Sequence, residues 1–514
     1  MDDKTVIFDK AINWIKNNSI NNEGITVTSE KKVIYPEVTG YYIPTLLQWG
    51  ERDLAVSYAR YLCRIQKEDG SWYDSDDQAP YVFDSAQILK GLVSIYEVLP
   101  EVKENIIRGC DWLISNVNEE GRLTTPSKDA WGSDENFCSE LIHVYCLTPL
   151  VDAARIFDVP KYKEIAYKIL DYYKTNYMDK ILNFRLLSHF YAYVMEGLYD
   201  LGEVDLVRQA MQRIGMLQDR KGGIPGLYDV KWVCSTGMFQ LALVWYKLGE
   251  LEKGNRIFDY ACTLQNETGG WYGSYPGSKI NALFSRGRKK AYYFPTAEIS
   301  WANKYFLDAL SYKMKLEFEV QSSIFIDTIP KDDGRYTLIF NKLKEAAETN
   351  SEASMSLKVC DVGCGKGRYL KNLKEDMPEC SYFAVDLSEK VMQNLNFVEK
   401  RQGRLTQIPY EDEVFDYVYV CEALEHAINI EGALRELWRI TNKDGIIVII
   451  DKPVEKLGVM EIDEWEQWID GEQIQKVINI LGGKVEIVKS VAYESKDDGL
   501  FRAWIIKKDR QQSA

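Results

Sequence analysis

The run DVGCGKG (361–367) sets Gly363, Gly365 and Gly367 at alternate positions directly behind the apolar stretch LKVC. Glycines so placed let the backbone approach a ligand with no side chain in between. A phosphate-cradling Gly-x-x-x-x-Gly-Lys-Ser/Thr loop is not spelled here, and the dinucleotide fingerprint Gly-x-Gly-x-x-Gly differs in its last spacing. Asp361 would also repel a pyrophosphate. A nucleoside that carries an amino acid and no phosphate suits the run better, because an acid beside the loop can attract its ammonium group. S-adenosylmethionine is such a ligand.

Around this loop apolar strands alternate with helix-like stretches: LKVCDVG, GRYLKNLKED, SYFAVDLS, EKVMQNLNFVEK, DYVYVCEAL, EGALRELWRIT and GIIVIIDKP. That order predicts a doubly wound parallel sheet with EKVMQNLNFVEK as one of its helices, and ligands of such sheets sit at the carboxyl ends of the strands. Four ordered segments carry a resemblance to class I S-adenosylmethionine-dependent methyltransferases over about residues 330–510. VCDVGCGKG matches the first family motif, and FAVDLSEKVM places Asp386 where the family's acid takes both ribose hydroxyls. GRLTQIPYEDEVFDYVYVCEALEHA matches the third and fourth motifs, and LWRITNKDGIIVIID the region of the fifth strand. The resemblance implies a Rossmann-like domain that holds the cofactor through Asp361, Gly363, Gly365, Gly367, Asp386, Leu387, Leu405 and Glu422. Arg404 stands where the family often has an acid near the adenine, which passes adenine recognition to backbone groups near Leu405.

Methyl transfer is an in-line displacement, so the protein mainly aligns the acceptor with the methyl group. An alcohol acceptor also needs a base for its proton. His426, Glu425 and Asp451 are the candidate catalytic residues, with His426 first because its ordinary pKa lies near neutrality. Glu425 and His426 open a helix, so capping or surface roles are the alternative. The tryptophan- and acid-rich segment 451–469 reads as a wall of the acceptor site or as an interface.

The first three hundred residues must explain themselves differently. QKEDGSWYD (66–74) and QNETGGWYG (265–273) share Gln-x-x-x-Gly-x-Trp, and QDRKGGIPG, NVNEEGRLT and NSINNEGIT are weaker copies. Gly24, Gly70, Gly121, Gly222 and Gly269 recur about every fifty residues, with one double interval that leaves room for a copy near 176–184. Each glycine is expected to end a helix in a left-handed conformation. Stacked helix pairs of this period close into an (α/α)6 toroid of about 310 residues. The region resembles the toroids of terpenoid cyclases and protein prenyltransferase β-subunits, and similar barrels occur in carbohydrate-active enzymes.

The second helix of each pair would line a central cavity. Their starts carry Glu37, Tyr41, Asp84, Glu140, His189, Tyr191, Ser235 and Glu298. Tyr41, Asp84, His189, Tyr191 and Glu298 are the candidate substrate residues: rings stack on sugar faces while carboxylates bind hydroxyls. Asp84, Ser235 and Thr296 read equally as helix caps. YDSDDQ (73–78) matches the Asp-x-Asp-Asp acid of class II terpene cyclases, here in a loop after the repeat turn.

The chain of 514 residues is expected to divide into a toroid (1–315), a connector (316–335) and a methyltransferase domain (336–510). Its fold class is multidomain, all-α followed by α/β. A net charge of −15 argues against nucleic acid and anionic membranes as main partners, although FSRGRKKAYYF (284–294) is locally basic. No stretch approaches a membrane span, and the N-terminus lacks a secretory pattern. Ten scattered cysteines and three histidines fit reduced core thiols of a cytoplasmic protein with no metal site. The leading expectation is O-methylation of a saccharide in surface glycan or polysaccharide biosynthesis, with the toroid binding or processing the same glycan. A bifunctional terpenoid cyclase–methyltransferase and a methyltransferase on a non-catalytic scaffold are the alternatives.

Overall fold

The computed structural model describes residues 4–126, 138–276, 292–349 and 356–508. Most of the basic run 284–294 therefore lies outside the described residues. The chain divides into two compact units, residues 6–46 with 52–316, and residues 1–5, 47–51 and 317–514.

The first unit is helical. Its outer helices are α1 (Thr5–Asn17), α3 (Arg52–Ile65), α5 (Lys103–Ser115), α7 (Pro160–Leu182), α9 (Val204–Leu217) and α11 (Leu251–Cys262). Each buries one stripe, as α3 does with Ala55, Tyr58, Ala59 and Leu62 at helical spacing. Their partners are α2 (Pro36–Gln48), α4 (Val82–Ile95), a 3-10 turn (Glu140–Cys146) leading into α6 (Thr148–Phe157), α8 (Ser188–Asp200), α10 (Ser235–Lys247) and α12 (Ser300–Gln321). Among these, α4, α8 and α10 are buried almost all round, as inner helices must be. The last pair returns to the first: Gln265 Nε2 donates to the Ile7 carbonyl at 2.9 Å and Asn303 Nδ2 to that of Ala11 at 3.4 Å.

The repeat turns have a common construction. Gln66 Nε2 donates both to the Gly70 carbonyl of its own turn and to the Asn105 carbonyl of the next outer helix, each at 3.0 Å. Trp72 Nε1 reaches back to the Leu62 carbonyl at 2.8 Å, and Trp271 Nε1 repeats this on Ala261 at 2.9 Å. Gly70, Gly121, Gly222 and Gly269 all have φ near +95°, as expected, between +94° and +103°. They do not end the helices, however: α3 stops at Ile65, and Gly70 forms the turn beyond it. A Cβ on Gly70 would lie 2.4 Å from the Arg108 carbonyl, so the close approach of the next helix is a second reason for glycine. Gly24 is not left-handed. Residues 176–182 hold no turn either, because α7 continues to Leu182 with one non-helical residue at Tyr177, where no glycine is present to reverse the chain.

In the second unit seven strands form one sheet: β1 (Lys358–Val362), β2 (Ser381–Asp386), β3 (Glu399–Gln402), β4 (Phe415–Cys421), β5 (Thr441–Asp451), β6 (Lys484–Tyr493) and β7 (Lys496–Lys507). Their order is β6-β7-β5-β4-β1-β2-β3, with β7 antiparallel to both neighbours. The order reverses between β1 and β4, which opens a crevice at their carboxyl ends. Helices α13 (Gly334–Thr349), α14 (Arg368–Asp376), α15 (Ile430–Ile440) and α16 (Gly471–Ile480) complete the unit. The stretch EKVMQNLNFVEK is a series of turns running into β3 rather than a helix. Nor is 316–335 a free connector: α12 extends through its start to Gln321, and Lys366 Nζ, Lys371 Nζ and Asn372 Nδ2 bind the carbonyls of Phe325, Asp327 and Ile329.

Candidate functional site

The glycine loop leaves β1 and enters α14. Gly363 N and Cys364 N both donate to the Val385 carbonyl of β2, at 2.8 and 3.1 Å, which fixes the loop against the next strand. All three glycines are left-handed, with φ of +79°, +54° and +71°. A Cβ on Gly363 would meet Ala423 at 2.4 Å and one on Gly367 would meet Leu395 at 2.6 Å. A Cβ on Gly365 would meet nothing within 4 Å, so this glycine faces the open crevice.

Asp386 ends β2 beside it. Its Oδ2 accepts from Gly365 N at 2.9 Å and its Oδ1 from Ser388 N at 3.0 Å, leaving each oxygen further lone pairs for a ligand. Burial raises its proton affinity while these backbone donors oppose the rise. Leu387 follows, half-buried, and its carbonyl takes Gln402 Nε2. Leu405 is half-buried between Arg404 and Gln407, whose backbones pair with each other. Asp361 differs from its expected place. It is 2% exposed, accepts from Tyr419 OH at 2.9 Å, and burial pushes it up to about 7. It is therefore a buried carboxyl held by Tyr419 rather than an open carboxylate.

Glu422, at the end of β4, is left-handed with φ +55°. Its Oε1 accepts from Arg335 and from Arg368, both at 2.6 Å, and Arg335 is held in turn by Asp333. These two arginines were missed from the sequence. Arg368 had a signal in following Gly367 directly; Arg335 had none, because it arrives from a stretch taken for a connector.

Beyond β4 and β5 a second cluster forms. Lys452 Nζ binds both carboxylate oxygens of Glu425 at 2.5 Å and lies 3.7 Å from Glu466. Asp451, fully buried, accepts from Lys452 N at 2.8 Å and Glu425 N at 3.2 Å. Burial and then Asp451 raise Glu425 well above the carboxylate range against the pull of Lys452, while burial lifts Asp451 to about 6. His426 is the open member, with a quarter of its side chain exposed (26%). Its Nε2 lies 3.6 Å from Glu425 Oε1 and its ring stands edge-on to Phe318. Burial lowers it to about 4, so it is neutral at physiological pH, contrary to the near-neutral poise expected of it. The segment 451–469 folds back over this cluster, pairing Ile469 N with the Lys452 carbonyl and Gln467 N with that of Glu425.

The helical unit has a cavity of about 700 Å³. Tyr41, Asp84 and His189 line it, together with Glu37, Tyr193 and Trp301 among others. Asp84 is the third residue of α4 rather than its cap; Tyr81 holds the cap position and makes no side-chain cap bond. His189 Nδ1 pairs with Gln240 Oε1 at 2.6 Å, and burial lowers it to about 3, which leaves the neutral ring's other nitrogen as an acceptor. Two candidates are elsewhere. Tyr191 donates to the Ile181 carbonyl at 2.8 Å on the far side of α8, since only positions three or four apart, such as 189 and 193, share a helix face. Glu298 receives Trp14 Nε1 at 2.7 Å and Asn266 Nδ2 at 2.8 Å, and so ties the last turn to the first helix. Glu140 is spent on Arg122, and Ser235 on the Tyr272 carbonyl. The acids of YDSDDQ sit on an exposed turn, where Asp76 pairs with Lys31 and Asp77 with Lys67.

Residues 360–449 match the sequence profile of a methyltransferase domain. Over those residues the chain carries a methyltransferase domain. Its cofactor is S-adenosylmethionine, and the observed cradle fits that group: a bare Gly365 facing the crevice and Asp386 with free acceptor capacity beside it. Over 104 residues the chain is 29% identical to sterol 24-C-methyltransferase of Schizosaccharomyces pombe, covering 18% of this chain and 27% of that protein. The chain spans between about a quarter and three fifths of the length of the curated relatives it matches. Among solved structures, a possible histamine N-methyltransferase from Thermotoga maritima is 18% identical, covering 38% of this chain and 100% of that one, with a TM-score of 0.28. An unsaturated glucuronyl hydrolase specific for heparin is 12% identical, covering 61% of this chain and 97% of that one, with a TM-score of 0.44. Among the described residues no helix is long and apolar enough to cross a membrane.

Proposed function

We propose that the chain transfers a methyl group from S-adenosylmethionine to a hydroxyl of a saccharide, and that the helical unit is an (α/α)6 toroid whose cavity binds that saccharide. The observation that carries the reading is the cavity: carboxyl groups and aromatic rings share one enclosure, the combination that holds hydroxyls and sugar faces together. The same cavity favours a ligand-binding toroid over a scaffold.

When bound, the cofactor supplies an electrophilic methyl on a positively charged sulfur. Asp386 takes the ribose hydroxyls on its remaining lone pairs, and Gly365 admits the nucleoside against bare backbone. Glu422 keeps Arg335 and Arg368 gathered at the end of β4. His426, neutral and part-exposed, accepts the hydroxyl proton as the methyl arrives. Glu425, Asp451 and Lys452 are too deeply buried to touch an acceptor and act by holding His426 in place.

A second reading has an isoprenoid acceptor. Relatives of the second unit are named as sterol and demethylmenaquinone methyltransferases. Val320, Ile324 and Ile326 are exposed on the stretch that also carries Phe318, the ring against His426. Cyclisation as a further activity loses ground, because Asp76 and Asp77 are solvent-exposed and ion-paired, unlike an acid able to protonate an alkene. The test is incubation of the full chain with methyl-labelled cofactor and fractionated cell envelope. Label in a saccharide fraction supports the first reading; label confined to isoprenoid lipids replaces it with the second.

A further inference from the structure

The cavity of the helical unit contains two carboxyl groups that the fold itself does not neutralise. Glu37, the second residue of α2, and Asp84 are 5% and 7% exposed, and both face the cavity. No lysine or arginine among the described residues pairs with either, and Asp84 has no side-chain partner; Tyr35 bonds Glu37. Burial and then the neighbouring Glu37 raise Asp84 well above the carboxylate range, and burial lifts Glu37 to about 7. Lys31 also lines the cavity, but Asp76 holds it at 2.8 Å and Ser75 at 3.0 Å, while Glu30 adds a further acid to the lining. Much of the remaining wall is aromatic, with Tyr35, Tyr41, Phe83, Tyr193, Tyr293 and Trp301 beside smaller residues such as Val27, Thr28 and Ala297.

Two carboxylates in one low-dielectric enclosure repel each other, and each is costly to ionise. A neutral polyol relieves this only through hydrogen bonds. A ligand ammonium lets both groups ionise at once, and the surrounding ring faces attract the same charge. At about 700 Å³ the cavity is large enough for a sugar-sized body to accompany the charge.

We propose that this cavity recognises an amine-bearing saccharide unit, with its ammonium group between Glu37 and Asp84 and its ring against the aromatic wall. The proposal rests on the saccharide reading of the function and names the class of sugar. It is tested by calorimetric titration of the full chain with a glucosamine disaccharide, its N-acetylated counterpart and cellobiose. The free amine is expected to bind about tenfold or more tightly than either neutral sugar. Asp84→Asn and Glu37→Gln should each remove most of that preference, with circular dichroism reporting that the variants are folded. Equal or tighter binding of the N-acetylated sugar or of cellobiose would overturn the amine proposal while leaving the saccharide reading standing. Absence of binding by all three sugars would overturn both.

Discussion

Three side chains at or beside the crevice each make a separate prediction. Asp386 is held by Gly365 N and Ser388 N, and its remaining lone pairs are the ones assigned to the ribose hydroxyls. Charge-assisted hydrogen bonds of this kind are worth about 1.5–3 kcal/mol each. Asp386→Ala should therefore weaken S-adenosylhomocysteine binding by one to two orders of magnitude, read by calorimetry. Asp361 makes a pH prediction. Its folded-state pKa, about 7, lies above the ordinary carboxylate value, so the folded chain holds a proton there that the unfolded chain releases. The stability linked to that proton is complete below about pH 4 and is lost as pH rises through about 7. Asp361→Asn should flatten the melting temperature between those limits relative to wild type; parallel profiles would contradict it. His426→Gln should slow methyl transfer with little change in cofactor affinity, since the ring is open and the catalytic role assigned to it does not involve the cofactor.

At the scale of elements, the repeat turn can be tested through its glycines. Gly70 and Gly249 are both left-handed, at +95° and +79°, yet only Gly70 has a neighbouring carbonyl where a Cβ would go. A left-handed non-glycine residue costs about 1–2 kcal/mol by itself. Gly249→Ala should show about that loss in chemical denaturation, whereas Gly70→Ala should lose clearly more, because the next outer helix must also move. Equal losses would mean that the close approach contributes nothing. Much of this architecture was legible in the sequence, because Gln66, Gly70 and Trp72 each have an obligatory local role that recurs at Gln265, Gly269 and Trp271. What was not legible came from longer range. Residues 389–397 have helix-like apolar spacing but form turns, and α7 runs on past the expected repeat boundary to Leu182.

For the molecule as a whole, the methyltransferase motifs were readable since backbone approach, ribose recognition and strand alternation are all encoded in adjacent residues. The cavity was only half readable. Helix starts indicated Asp84 and His189, but which side of α8 faces inward separates Tyr193 from Tyr191, and that depends on packing. Glu298 could not be distinguished from a cavity acid until Trp14 was seen to approach it from the other end of the unit.

Titration of the full chain with S-adenosylhomocysteine, set beside NADH, tests the central claim most directly. A single site that takes the sulfur nucleoside, ignores NADH and is weakened by Asp386→Ala is the predicted result. Binding of NADH with no heat from S-adenosylhomocysteine would contradict it.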